Sequence, residues 1–167
     1  MKVRLIFLAL FLACAGLFGF GLYLQHVQHL EPCPLCIFQR MAFIATGVVA
    51  LAGAIHNPGR TGKMAYAVTL SLCAAIGAAI AGRHVWLQNS PPSQAVACGP
   101  DLEYMLEAFP LTKALPLVFK GSGDCGKIIW SWLGLSIPQW ALLWFIVFVL
   151  AGLAVIFHTL RPKQAKI

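Results

Sequence analysis

The segment EPCPLCIFQRMAFIATGVVALAGAI, residues 31–55, joins a pair of cysteines to a long apolar run. Cys33 and Cys36 stand at CxxC spacing beside prolines, and the run that follows carries Arg40 near its start. A helix needs about 20 residues to cross the hydrocarbon core of a bilayer, and the run 37–55 is close to that length. The segment therefore predicts a membrane helix that begins beside two neighbouring thiols.

The rest of the chain is equally apolar. Of its 167 residues, 60% are hydrophobic and 10% are charged, and the mean hydropathy is +0.82, which is too apolar for a soluble domain of this size. Further runs long enough to cross a bilayer lie at about 5–24, 64–81 and 140–157. Together with 37–55, they predict an all-α membrane bundle of four helices, formed by one domain over residues 1–167.

The first apolar run has an alternative interpretation as a signal peptide, because the small residues Ala13, Cys14 and Ala15 resemble a cleavage site. The apolar stretch continues to Leu24, however, which is longer than the apolar region of a usual signal peptide. We therefore expect it to remain as the first span.

Charged residues predict the orientation of the bundle. The net charge is +7, and the Lys and Arg residues near both termini and in the turn HNPGRTGK fall on one side of a four-span arrangement. By the positive-inside rule, both termini are cytoplasmic and the loops at about 25–36 and 85–139 face outward. The basic surplus follows from this topology, so the bilayer and not nucleic acid is the expected partner. All five acids fall on the outer side: Glu31, Asp101, Glu103, Glu107 and Asp124.

The two outward loops each contain a pair of cysteines. An oxidising compartment outside the cytoplasmic membrane favours disulfides among them. Two other cysteines, Cys14 and Cys73, lie inside predicted spans, where a cysteine is usually a small buried hydrophobe. The four outward cysteines are Cys33, Cys36, Cys98 and Cys125.

The two outward pairs differ in what a bridge would achieve. A bridge between Cys98 and Cys125 would close a long loop and stabilise the fold by about 3 to 4 kcal/mol in the chain-entropy model, so a structural role stays open for that pair. A bridge within CxxC constrains almost nothing, and this spacing is favoured where a disulfide is made and broken. A thiolate at such a motif is stabilised by a helix N-terminus or a nearby cation. Pro34 suits a helix start, and Arg40 follows Cys36 by four residues, on the same helical face.

A metal or haem site is the alternative use of these cysteines. Four cysteines can bind zinc, but an oxidising location opposes this, and the sequence has no second CxxC. Ile37 follows Cys36, so the haem-attachment pattern CxxCH is absent. We therefore predict no metal.

Arg40 and His84 are the candidate polar residues at the outer boundary of the bilayer. A cation inside a span is costly and usually functional, although Arg40 could also extend to the interface. His84, beside Arg83, ends the third span at the same depth, where a solvated histidine is the simpler interpretation. Polar side chains beside a reactive thiol at the lipid boundary suit a lipid-soluble electron acceptor, and a quinone fits.

Several motifs, taken in order, resemble the DsbB family of membrane disulfide-forming oxidases. They are QHVQHLEPCPLCIFQR, the end at Arg83 and His84, the loop from Cys98 to Cys125 with GSGDC, and IIWSWLGLSIPQW. The resemblance covers most of the chain. It implies a location in the bacterial inner membrane, with the outward loops in the periplasm.

The resemblance also implies a relay of disulfide exchange. Reduced DsbA, a periplasmic dithiol oxidase, would attack Cys98 and release Cys125, which would exchange with Cys33. Cys36 would face a quinone of the membrane pool, either ubiquinone or menaquinone. The residues that match positions near the quinone in the family are Arg40, His84 and Trp130.

Two other kinds of protein remain as alternatives. Vitamin K epoxide reductase-like enzymes also combine a four-helix bundle, a CxxC pair, a loop pair and a quinone, but their loop pair precedes the CxxC in sequence. Here the CxxC comes first, which favours the DsbB family. A transporter or scaffold with structural disulfides would need charges or broken helices near the midplane, and the sequence has no such features.

Overall fold

The structure, a computed structural model, describes residues 2–30, 32–90, 128 and 130–160. This part of the chain forms four long helices and one hairpin, and each helix is long and apolar enough to cross a membrane. The predicted all-α, four-helix membrane bundle is therefore confirmed. The elements are α1 (Lys2–His26), α2 (Pro34–His56), α3 (Arg60–Asn89), β1 (Ser131–Trp132), β2 (Leu135–Ser136) and α4 (Ile137–Leu160).

The helices extend beyond the apolar runs that predicted them. Helix α2 begins at Pro34, inside the segment expected as the first outer loop, and α3 continues to Asn89. The apolar runs measure only the hydrocarbon core, whereas helical hydrogen bonding continues into the polar interface. Between α2 and α3, Asn57 adopts the left-handed conformation with φ 39°, and its N–H bonds to the carbonyl of Gly53. This cap ends α2 and makes the turn to α3 short.

All four helices contribute to the core, and its aromatic part lies where α2, α3 and α4 meet. Phe43 of α2 stacks on Phe145 of α4 with ring centroids 4.1 Å apart, and it meets Phe148 edge-on at 6.2 Å. Helix α3 approaches the Phe145 ring through Gly77, where an added Cβ would lie 2.4 Å from a ring carbon. Small residues thus allow close contact between membrane helices, and α3 and α4 make the most extensive contact in the described bundle.

Helix α1 packs on α2 and makes little contact with α4. Cys14 is buried in the α1–α2 contact, with its Cβ 3.1 Å from the position that a Cβ on Gly47 would take, so it packs as a small apolar residue. Because α1 and α4 do not close on each other, a cavity of about 520 Å³ lies between them near the hairpin.

The hairpin holds the start of α4 against α3. Its two turn residues, Leu133 and Gly134, have φ of 52° and 79°, the backbone of a two-residue turn with positive φ at both positions. The buried Ser136 hydroxyl donates to Gln88 Oε1 at 2.7 Å, while its backbone N–H donates to Gln139 Oε1 at 2.7 Å. These bonds fix where α4 begins relative to the C-terminal end of α3.

Candidate active site

The cysteine pair lies at the first turn of α2. Cys33 is the N-cap residue, and its sulfur accepts a hydrogen bond from the backbone N–H of Cys36 at 3.4 Å. The two sulfurs are 3.1 Å apart and both side chains are half-buried. The unbonded N–H groups and the dipole of a helix N-terminus stabilise negative charge there. The Cys33 sulfur therefore lies at a helix N-terminus, where it faces a backbone N–H donor.

His84 of α3 lies against this pair. Its ring is only 2% exposed, and its Nε2 is 3.7 Å from the Cys33 sulfur. On the other side of the ring, Gln39 Nε2 lies 3.0 Å from Nδ1, and Gln39 is also buried. An amide nitrogen can only donate, so Nδ1 accepts and the neutral ring carries its proton on Nε2, facing the sulfur. We call Cys33, Cys36, Gln39 and His84 the thiol site.

Apolar side chains of α2 and α3 form the floor of the thiol site. Leu35, Ile80 and Leu87 are all buried and contact one another, and Cys33 and Phe38 pack against them. Polar groups in such surroundings interact more strongly with each other than they do in water. The pairing of His84 with Gln39 and Cys33 is thus set by apolar packing between the two helices.

Arg40 is held by α1, on another side of α2. One terminal nitrogen donates to the Gly21 carbonyl at 2.9 Å, and the other donates to Gln25 Oε1. Gly21 lies against the guanidinium, since an added Cβ there would be in ordinary van der Waals contact with Arg40 Nε, at 3.5 Å. The guanidinium is half-buried, so a cation near the start of the span is satisfied by oxygen acceptors of the neighbouring helix.

The cavity between α1 and α4 adjoins this arginine, because Gly21 also lines the cavity. Aromatic rings make up much of its wall, and we call it the aromatic cavity. Trp130 meets Phe20 edge-on there, with centroids 5.9 Å apart. The aromatic lining residues are Phe20, Phe43, Trp130, Trp132, Trp140 and Trp144.

The structure divides the predicted site residues between two places. Cys33, Cys36 and His84 come together in the thiol site, whereas Trp130 lines the aromatic cavity and Arg40 lies beside it. His84 was predicted at the same membrane depth as Arg40, and its contacts with Cys33 and Gln39 place it between α2 and α3. The remaining two predicted residues, Cys98 and Cys125, lie outside the described residues.

Sequence reasoning missed Gln39, Gln25 and the tryptophans of α4. Gln39 had a detectable signal, since it is an amide inside an apolar run, next to Arg40 and three residues after Cys36. Such a position suggests a buried hydrogen bond. Its partner could not be found from the sequence, because His84 lies 45 residues further along the chain.

The fold and the site together define a multi-pass membrane protein with a thiol pair at the N-terminus of its second helix, at one end of the bundle. A family model described as "Disulfide bond formation protein DsbB" matches residues 3–155. The chain belongs to the DsbB family and is a membrane disulfide bond formation protein with a disulfide oxidoreductase role. The resemblance seen in the sequence motifs is thus confirmed.

Individual relatives are similar over nearly their full length. A protein named Disulfide bond formation protein B from Aromatoleum aromaticum is 55% identical over 141 residues, 84% of each chain. One of the same name from Azoarcus sp. is 51% identical over 154 residues, 92% of each chain. Disulfide bond formation protein B 1 from Pseudomonas aeruginosa is 47% identical over 146 residues, which are 87% of this chain and 90% of the relative.

Proposed function

We propose that this protein is an inner-membrane oxidase that reoxidises a DsbA-like periplasmic dithiol oxidase and passes the electrons to a membrane quinone. The single observation that carries the proposal is a cysteine pair at the N-terminus of α2, on the same helix as Arg40, which contacts Gly21 in the wall of the aromatic cavity. In this proposal both termini are cytoplasmic, and the loops at about 25–36 and 85–139 lie in the periplasm. The family membership supports the disulfide chemistry.

The thiol steps balance as four exchanges. A thiolate of reduced DsbA attacks Cys98 of the Cys98–Cys125 disulfide, and Cys125 leaves as a thiolate. Cys125 then attacks Cys33 of the Cys33–Cys36 disulfide and releases Cys36. When the second DsbA thiol displaces Cys98, DsbA is oxidised. Resolution of the internal Cys33–Cys125 disulfide by Cys98 leaves the loop pair oxidised, with two electrons on the CxxC pair.

In this proposal His84 donates a hydrogen bond to the Cys33 sulfur during these exchanges. Its Nε2 lies 3.7 Å from the Cys33 sulfur, within reach of a sulfur hydrogen bond. In this proposal the Nε2 proton stabilises the negative charge that develops on the Cys33 sulfur when Cys98 displaces it from the Cys33–Cys125 disulfide. Gln39 fixes the ring for this role through Nδ1.

The size and the aromatic lining of the cavity support it as the site of a quinone ring, either ubiquinone or menaquinone. Its volume of about 520 Å³ lies within the range of small-molecule sites, which are mostly apolar with a few polar groups. A quinone bound there would supply the acceptor for the two electrons and two protons of the reduced Cys33–Cys36 pair. Arg40 uses two of the five N–H donors of a guanidinium on α1, and in this proposal another donor binds a quinone carbonyl, whose oxygen gains negative charge during reduction.

Turnover with purified components tests the proposal. The full chain, reduced DsbA and a soluble quinone analogue are mixed, and quinone reduction and DsbA oxidation are followed in time. We expect both, with one quinone reduced per DsbA oxidised. Cys98→Ala should abolish DsbA oxidation, yet quinone reduction should persist when a small dithiol reduces Cys33–Cys36 directly. Absence of quinone-dependent DsbA oxidation by the wild type would refute the proposed function.

A further inference from the structure

The thiol site brings together three side chains that bind soft metal ions. The two sulfurs of Cys33 and Cys36 and a ring nitrogen of His84 all lie within 4.8 Å of one another. Two thiolates and one imidazole are a ligand set that zinc accepts in proteins, with a water in the fourth position. We propose that the reduced thiol site binds one Zn²⁺ ion, and that zinc inhibits the protein by holding the pair as thiolates.

The distances suit a tetrahedral ion after small movements. Zinc bonds of about 2.3 Å to sulfur and about 2.0 Å to nitrogen place neighbouring ligand atoms about 3.5 to 3.8 Å apart. The Cys33 sulfur is 3.7 Å from His84 Nε2, which already fits. The two sulfurs are 3.1 Å apart and need to separate by about 0.7 Å to reach the sulfur–sulfur distance of a tetrahedral zinc site, which cysteine side-chain rotation at the first turn of α2 allows.

Gln39 supplies the partner that a metal-bound histidine requires. A histidine that binds metal through Nε2 carries its proton on Nδ1 and donates it to a neighbouring acceptor. The Gln39 amide lies 3.0 Å from Nδ1 and is only 3% exposed. Turning the amide by 180° presents its oxygen to Nδ1–H at the same place. The Nε2 lone pair then faces the sulfurs, so the same three residues serve either the bare pair or the metal.

Zinc and thiol exchange compete for the same atoms. Binding replaces the two thiol protons by one Zn²⁺ and transfers no electrons, so the pair stays reduced. A disulfide offers no thiolate, and oxidation of Cys33–Cys36 therefore excludes the ion. The sequence predicted no zinc site, in part because it has no second CxxC. In the structure the proposed third ligand comes from α3, 51 residues after Cys33.

The experiment measures zinc binding to the full chain without DsbA or quinone. Protein with Cys98→Ser and Cys125→Ser, which removes the loop thiols, is reduced, freed of reductant under argon and titrated against a chromophoric zinc indicator. We expect one zinc per chain. His84→Ala and Gln39→Leu should each weaken binding by about tenfold or more, whereas the matched control His26→Ala, an exposed histidine at the end of α1, should leave it unchanged.

Cobalt(II) in place of zinc reports the ligands directly, because thiolate coordination gives an intense charge-transfer absorption. We expect this absorption in the reduced protein, its loss in Cys33→Ser, and its absence after oxidation of the pair. If His84→Ala does not accumulate as folded protein, the cobalt spectrum and Cys33→Ser decide. Binding that needs Cys98 or Cys125, survives in Cys33→Ser, is unaffected in a folded His84→Ala protein or is equal in oxidised protein would overturn the zinc site. Since no turnover is measured, such a result leaves the proposed function standing.

Discussion

Gln39 and Arg40 are neighbours in the chain, but their side chains contact different helices. Consecutive residues of a helix point about 100° apart, so Gln39 meets His84 of α3 while Arg40 meets Gly21 of α1. A single turn of α2 thus borders the thiol site on one side and the aromatic cavity on another. Changes at these two positions should therefore affect different steps of the proposed reaction.

Arg40→Ala should raise the apparent KM for quinone or slow its reduction, because the variant loses both the charge and the donors for a quinone carbonyl. Exchange between DsbA and Cys98 should change less. Arg40→Lys should recover part of the loss, since lysine keeps the charge but not the planar fork. Steady-state rates against quinone concentration, normalised to folded protein, measure this.

Gln25→Ala is the control for the arginine variants. It removes one acceptor that holds the guanidinium but keeps the charge, so its effect should be smaller than that of Arg40→Ala. If Arg40→Ala gives less folded protein while the quinone dependence of that protein is normal, Arg40 only anchors α2 to α1.

Gln39→Leu should slow reduction of the Cys33–Cys36 disulfide by a small dithiol, while the KM for quinone stays the same. The variant removes the hydrogen bond that orients His84. General acid–base groups contribute about 10² to 10⁴ in rate. Loss of a residue that only positions such a group removes part of this contribution, so we expect the reduction rate to fall about tenfold. Stopped-flow reduction of the oxidised protein measures the rate.

Thr46→Val is a matched control for Gln39→Leu. It removes another buried polar group of α2, a hydroxyl that bonds only within its own helix, to the Ala42 carbonyl at 2.8 Å. The exchange rate should remain at the wild-type value in this variant. Equal slowing in both variants would mean that buried polar groups of α2 act through stability alone.

At the scale of helices, the sequence predicted which segments form helices better than it predicted which side chains those helices bring into contact. Apolar length identified four spans, and Pro34 identified the start of α2 at the cysteine pair. The partner of His84 was not predictable, because it depends on how Leu35 and Ile80 pack between α2 and α3. The aromatic cavity was also out of reach, since it results from α1 and α4 failing to close.

The close approach of α3 and α4 gives a prediction at this scale. Gly77→Ala should destabilise the bundle by about 1 to 3 kcal/mol, the usual range for overpacking, because the new Cβ would lie 2.4 Å from Phe145 Cε1. The measurement is the free energy of unfolding in mixed micelles.

Gly82→Ala provides the comparison on the same helix. An added Cβ at Gly82 has no neighbour within 4 Å among the described residues. Alanine also favours the helix by up to about 1 kcal/mol, so this variant should be as stable as the wild type or more so. Equal stability of the two alanine variants would show that the α3–α4 contact tolerates a wider separation.

At the scale of the whole molecule, the predicted orientation in the membrane decides on which side the cysteines react. A membrane-impermeant thiol reagent applied from outside, after reduction, should label the four loop cysteines and neither Cys14 nor Cys73. Cys14 is buried between helices, and Cys73 lies in the middle part of α3. Labelling is read by mass spectrometry of intact cells and of lysed cells. The loop cysteines are Cys33, Cys36, Cys98 and Cys125.

Inverted membranes give the reciprocal measurement. Labelling of the loop cysteines only from the cytoplasmic face would reverse the orientation derived from the positive charges. Strong labelling of Cys14 or Cys73 from the outside would contradict the assignment of α1 and α3 as spans.

The opening between α1 and α4 determines the route by which a quinone would reach the aromatic cavity. Phe20 and Trp132 line the aromatic cavity and remain about half exposed, at 47% and 56%. A quinone that enters there comes sideways from the bilayer, so the quantity that governs its encounter rate is its number per lipid. Adding lipid to proteoliposomes at constant total quinone and protein should therefore slow turnover by surface dilution, although the concentrations of quinone and protein per volume are unchanged.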